Sequence, residues 1–126
     1  MLQKIKLWAS VALIAVWMLG GAYGHFFKPE FFYAIVPDLL PKKQVVYASG
    51  VPELLIGLAV LFPRTRALAG LGFAVLCLAL LPLHIWDAFR DTPAFSPLSL
   101  AITRIGVQLI LIAIGWRLWR QRQTGL

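Results

Sequence analysis

The chain has 126 residues, enough for one domain. It is 60% hydrophobic and 13% charged with a mean hydropathy of +0.81, whereas a soluble domain runs near half apolar and about a quarter charged; the composition excludes an ordinary water-soluble fold and points to a chain solvated by lipid. The net charge of +7 does not indicate a nucleic-acid binder, because the basic residues stand in short clusters between apolar runs, where they act as topology signals.

The N-terminus opens with Lys4 and Lys6 ahead of an apolar run over residues 7–27. A signal peptide has that charge pattern, but its apolar core is shorter. A run of roughly 20 residues spans about 30 Å of hydrocarbon, so the expectation is an uncleaved first helix. Three further apolar segments follow at about 45–62, 67–89 and 98–118, the last with Ser96 as an N-cap and Pro97 at the first helical position. Helices satisfy their own backbone hydrogen bonds in lipid. The expected fold is all-α: a single transmembrane domain over residues 1–126, an integral membrane four-helix bundle.

Four spans place both termini on one side. That side holds Lys4, Lys6, Arg64, Arg66, Arg117, Arg120 and Arg122 with no acid, while the other sets Lys28, Lys42, Lys43 and Arg90 against Glu30, Asp38, Asp87 and Asp91. Positive charge favours the cytoplasm. Both termini are therefore expected inside and the 28–44 and 90–96 connections outside. The longer connection is dense in aromatics (Phe31, Phe32, Tyr33) and carries Pro29, Pro37 and Pro41. The stretch PEFFYAIV is expected to form a short helix lying in the headgroup interface, as an anchor or as a lid.

Polar groups at membrane depth are costly and mark a pairing or a function. Here they collect in the outer half of all four segments: His25 in the first, Ser49 and Glu53 in the second, His84 and Asp87 in the third, Arg104 and Gln108 in the fourth. These seven are the candidate ligand-binding or polar-core residues. Glu53 stands about nine residues into its segment, roughly 13 Å down, close to the midplane. Ser49, Glu53 and Gly57 recur every fourth residue, and Arg104 and Gln108 share a face by the same spacing. Gly20 and Gly24 form a small-xxx-small pair, which allows close helix approach. An ion pair between Glu53 and Arg104 would relieve both buried charges, either as the floor of a pocket or only to fix helix register. His25 and His84 can exchange protons near neutral pH.

Other chemistries lack their motifs. There is no HExxH, no ExxH pair and no cysteine cluster, and His84 with Asp87 is the sole local ligand-like pair, so no metal is expected. No GxSxG elbow or glycine-rich phosphate loop occurs. Cys77 is the single cysteine and cannot form a dithiol, so any redox role needs a cofactor or a partner.

A set of residues around the first outer connection carries a family resemblance: His25-Phe26, Pro29, Phe32, Ile35-Val36-Pro37, Leu40-Pro41, Tyr47, Ser49-Gly50, Glu53, Gly57, Pro63-Arg64-Thr65-Arg66 and Ala69. This pattern resembles the DoxX-like family of small four-helix bacterial membrane proteins. The stretch from Arg104 to Gln108 is similar to the family's R-x-P-x-Q, with Gly106 where proline is usual; Pro82 fits, and His84 stands where asparagine is more common. The resemblance implies a bacterial inner-membrane location. It also implies a redox-linked role as an accessory subunit beside a membrane or peripheral enzyme of quinone-dependent metabolism, rather than an independent enzyme. A quinone is the cofactor it suggests. Beside that reading stand a non-catalytic assembly or scaffold protein whose polar cluster is structural, and a small transport component, which would require a homo-oligomer.

Overall fold

The computed structural model of the chain describes residues 1–122. Every regular element in it is helical: α1 (Leu2–Phe27), a short 3-10 helix η1 (Pro29–Ile35), α2 (Lys42–Ala59), α3 (Arg66–Phe89) and α4 (Leu98–Gln121). Three of them, α1, α3 and α4, are long and apolar enough to cross a membrane. The second helix has 18 residues but carries Lys42, Lys43 and Glu53, which sets it apart from the others. The outer surface is apolar: Val16, Leu55, Leu68, Val75, Leu109 and Ile110 are exposed. In water such a surface would drive aggregation; in lipid it needs no cover.

Element boundaries depart from the sequence expectation at both ends of α2. It begins at Lys42 rather than near residue 45, and the Lys42 ammonium donates to Tyr33 O at 3.1 Å and pairs with Asp38 at 2.8 Å. It ends at Ala59 rather than residue 62, because the next side chains take up its last carbonyls. Thr65 Oγ1 donates to Ala59 O at 2.6 Å, Arg66 Nε to Val60 O at 3.1 Å and Arg66 Nη2 to Leu61 O at 3.2 Å. The basic turn is thus also a helix cap. Ser96 does not cap α4: the N-cap position is Pro97, with no side-chain bond.

The helices pack as two sequential hairpins, α1 with α2 and α3 with α4, the latter the more intimate. At the α3–α4 crossing a Cβ on Gly115 would stand 2.6 Å from Gly70 O, and one on Gly70 would stand 2.9 Å from Gly115 O. Only glycine allows backbones that close. The expected small-residue contact at Gly20 and Gly24 does not join helices: nothing approaches Gly20, and Gly24 faces the Phe32 ring. The apolar core (Val11, Ile14, Met18, Val60, Phe73, Leu111, Leu118) fills the half of the bundle nearer the N-terminus. Of the buried polar groups, His25, Glu53, His84, Asp87 and Gln108 occupy the other half, while Ser10, which accepts from Arg117, lies in the apolar one.

Candidate functional site

The polar half divides into two clusters, one on each hairpin. The first is built on α1 and α2. His25 lies in the last turn of α1, and Glu53 on the buried stripe Val46, Gly50, Glu53, Gly57 of α2. His25 Nδ1 lies 2.8 Å from Val46 O. A carbonyl only accepts, so Nδ1 carries a hydrogen and Nε2 is the nitrogen left to face the carboxyl group. It does so at 3.1 Å from Glu53 Oε2. The approach is close but off-line: Oε2 is buried and makes no aligned hydrogen bond.

Two glycines make room for this pair. A Cβ on Gly21 would meet Glu53 Oε2 at 3.0 Å, and one on Gly50 would meet His25 Cβ at 2.9 Å. Phe32 of η1 closes the top, stacked on the imidazole with centroids 4.0 Å apart. Glu53 is therefore level with Gly21, six residues before the end of α1. That is about 9 Å below the end of α1 and, counted along α2 from Lys42, about 16 Å in, at 1.5 Å per residue. The pair can hold one mobile proton, as imidazolium and carboxylate or as imidazole and carboxylic acid.

The second cluster is built on α3 and α4. Gln108, 1% exposed, donates from Nε2 to Cys77 O at 2.7 Å and accepts at Oε1 from Arg104 at 2.8 Å. The Arg104 guanidinium lies 5.5 Å from the centre of the Trp17 ring. Asp87, 1% exposed, accepts from Ala94 N (2.7 Å), Phe95 N (3.0 Å) and Arg90 Nε (2.8 Å). Arg90 also donates to Ala34 O of η1. Asp87 is thus an anchor that folds the α3–α4 loop and, through Arg90, ties down η1. His84 packs its ring near Phe95, and its Nδ1 is buried without a partner.

The ion pair expected between Glu53 and Arg104 does not form: among the described residues Glu53 pairs with His25, while Arg104 turns to Gln108 and Trp17. The glycines at 21 and 50 bring α1 and α2 close enough for His25 to reach Glu53 first. Ser49 stands apart too. Its hydroxyl bonds back to Val45 O at 2.8 Å, which satisfies it within its own helix. The buried face of α2 runs through Gly50 and Glu53 rather than Ser49 and Glu53. No group of three or more potential metal ligands occurs among the described residues.

A family model for a domain of unknown function, DUF8561, matches residues 13–119. The chain belongs to the DUF8561 family. No curated protein and no solved structure matches it. All seven candidate residues of this DUF8561 chain fall within the matched span. Three contributors to the site were not singled out from the sequence. In the sequence Phe32 is one of several interfacial aromatics, and Gly21 is one of three glycines near the end of the first apolar run. Arg90 was counted as a loop charge. The signal for Gly21 and Gly50 is present in the chain: a missing side chain one helical turn from a buried ionisable group is where that group's partner on the facing helix finds space.

Proposed function

We propose that this protein is a four-span bacterial inner-membrane protein with both termini in the cytoplasm, an accessory subunit of a quinone-linked redox system, with its ligand site at His25 and Glu53. The observation that carries the reading is the His25–Glu53 pair. An imidazole whose other nitrogen is fixed on a backbone carbonyl faces a carboxyl group, in an apolar setting, under one aromatic ring. Such a pair suits exchange of a proton with a carbonyl or hydroxyl head group, the chemistry a quinone presents. An apolar groove of about 420 Å³ between α2 and α3, lined by Leu55, Ile56, Ala59, Leu68, Gly72 and Val75, starts one helical turn beyond Glu53 and suits the tail of such an amphiphile. The resemblance to DoxX-like proteins supports the redox context. The second helix crosses the membrane in this reading, its charged first turn in the outer headgroups and its glutamate neutralised by His25.

The test is binding of a short-chain ubiquinone analogue to the purified protein in detergent. Wild type is expected to bind, and Glu53→Gln, which keeps shape and removes the titrating group, to bind about tenfold more weakly, the cost of one charge-assisted hydrogen bond. Equal binding by the two, or none by either, overturns the ligand reading. A scaffold role is the second reading, favoured by the complete engagement of Asp87 and Gln108 with backbone groups. It predicts that Glu53→Gln lowers the melting temperature while quinone analogues have no effect on it. Recovery of a redox enzyme with the protein from native membranes favours the accessory role.

A further inference from the structure

Arg104 is held in an unusual direction. It stands six residues into α4, whose first residue is Leu98 at the outer end. A lysine or arginine in lipid normally snorkels toward the nearer interface. In a helix the Cα–Cβ bond also leans toward the N-terminus, here the same way. Arg104 instead bends deeper, to Gln108 one turn further in, and Gln108 is itself fixed on Cys77 O. The ring beside it, Trp17, stands ten residues before the end of α1, about 15 Å down at 1.5 Å per residue. Other arginine–tryptophan contacts, Arg66–Trp8, Arg90–Trp86 and Arg122–Trp119, lie near helix ends. Arg104 therefore brings a full positive charge to the middle of the bundle.

That charge has no carboxylate partner among the described residues. Glu53 is taken by His25, and Asp87 by Arg90 and two backbone amides. On the facing helix is a polar group without a hydrogen-bond partner among the described residues, His84 Nδ1. The α3–α4 register sets Gly70 against Gly115 and Cys77 against Gln108. The same register sets His84 against Ala101, one turn from Arg104, and His84 lies within the electrostatic reach of both the guanidinium and the Asp87 carboxylate, the latter already engaged by Arg90 and two backbone amides. His84 is 8% exposed, with a buried, unpartnered Nδ1. A neutral imidazole can donate from that nitrogen, and the guanidinium keeps donors beyond the one given to Gln108. Trp17 and Arg104 are both partly exposed, so the charge can be reached between α1 and α4 from the bundle surface.

We propose that Arg104 and His84 form an oxyanion site, entered between α1 and α4, that takes the phosphate group of an anionic lipid or free phosphate. Arg104 supplies the charge and forked donors, and His84 a single further donor. Gln108 and Trp17 hold the guanidinium at depth. Its two donors stand on the other hairpin from the His25–Glu53 pair, with Trp17 of α1 as the one contribution from the first, and the site does not depend on that pair.

The test is native mass spectrometry of the full chain released from neutral detergent with phosphatidylglycerol, phosphatidylcholine or inorganic phosphate added. Wild type is expected to retain phosphatidylglycerol over phosphatidylcholine. Arg104→Gln should lose this retention by about tenfold or more, as for a charged hydrogen bond removed, and His84→Leu should lose it several-fold. Arg64→Gln, at the exposed turn after α2, should bind as wild type. Competition by millimolar inorganic phosphate assigns the site to small anions; its failure, with phosphatidylglycerol still selected, assigns it to the lipid headgroup. Wild-type-like retention in Arg104→Gln, or in His84→Leu should the first variant not fold, overturns the proposal.

Discussion

The two hairpins use glycine for opposite purposes. In α3–α4 the glycines face backbone, Gly115 against Gly70 O and Ala74 N, so the helices touch main chain to main chain. In α1–α2 the nearest atoms are side-chain ones, the Glu53 carboxyl for Gly21, His25 Cβ for Gly50 and the Leu19 side chain for Gly57, where Leu19 N follows at 3.2 Å. Backbone cannot move aside without parting the helices, whereas a side chain can turn. The first arrangement makes a rigid pair whose polar groups Asp87 and Gln108 are fixed on main-chain partners. The second packs glycine against the ends of side chains that can turn, so the Glu53 carboxyl group is held less rigidly than Asp87 or Gln108. The lesson is that a small-residue pattern identifies close approach but not what is approached.

The largest effect should come from filling the rigid crossing. Gly115→Leu must clear a carbonyl oxygen at 2.6 Å and an amide nitrogen at 2.9 Å from its Cβ alone. It is expected to destabilise by about 3 kcal/mol, the upper end of overpacking costs, read as a lower melting temperature in detergent by circular dichroism. An unchanged melt would mean that α3 and α4 do not cross there. Gly21→Ala should cost less, about 1 kcal/mol, because the atoms at 3.0 and 3.2 Å belong to the Glu53 carboxyl end, which can swing. That swing carries Oε2 away from His25. In a double-mutant cycle the coupling between His25→Gln and Glu53→Gln should therefore shrink in the Gly21→Ala background. A coupling as large as in the parent would show that the carboxyl group does not rest on Gly21.

Much of this was legible from the chain. Apolar runs separated by prolines and basic clusters located all four helices, since length and hydropathy are local properties. The retreat of polar residues to one half of the bundle was also readable, because helix direction alternates and rise per residue is fixed. Partner choice was not. Glu53 was matched to Arg104 on charge alone, yet the pairing was decided by which helices carry glycines opposite each ionisable group. His25 reaches Glu53 because Gly21, Gly50 and, against Leu19, Gly57 narrow that seam, and Arg104 is drawn to Gln108 on its own helix. Likewise Asp87 read as a candidate ligand group, but two loop amides and Arg90 claim it. Such contacts come from a loop without periodicity, where sequence carries little geometric signal. The end of α2 was misjudged for a related reason: Thr65 and Arg66 act as caps through side chains that read only as a polar, basic turn.

The η1 strap joins the hairpins and shows their contrast in its two ties. On the α3–α4 side, Arg90 holds Ala34 O and is backed by the buried Asp87. On the α2 side, Lys42 holds Tyr33 O and is backed by Asp38, whose side chain is 97% exposed. The Lys42 ammonium beside Asp38 keeps its carboxyl below the ordinary value of 3.8. A carboxyl group with a lowered folded pKa adds stability that is present above that value and fades as pH falls through the lowered one. Asp38→Asn should therefore lower the melting temperature slightly at neutral pH and not at all once the medium is acid enough to protonate Asp38 in the wild type. The effect should also shrink in high salt, since an exposed pair is screened. This is the smallest change expected here, and thermal melts of both proteins across pH check it. A difference that persists into strong acid would mean that Asp38 holds the strap through its shape or hydrogen bonds rather than its charge, and that both ties, not only the one at Asp87, are built to last.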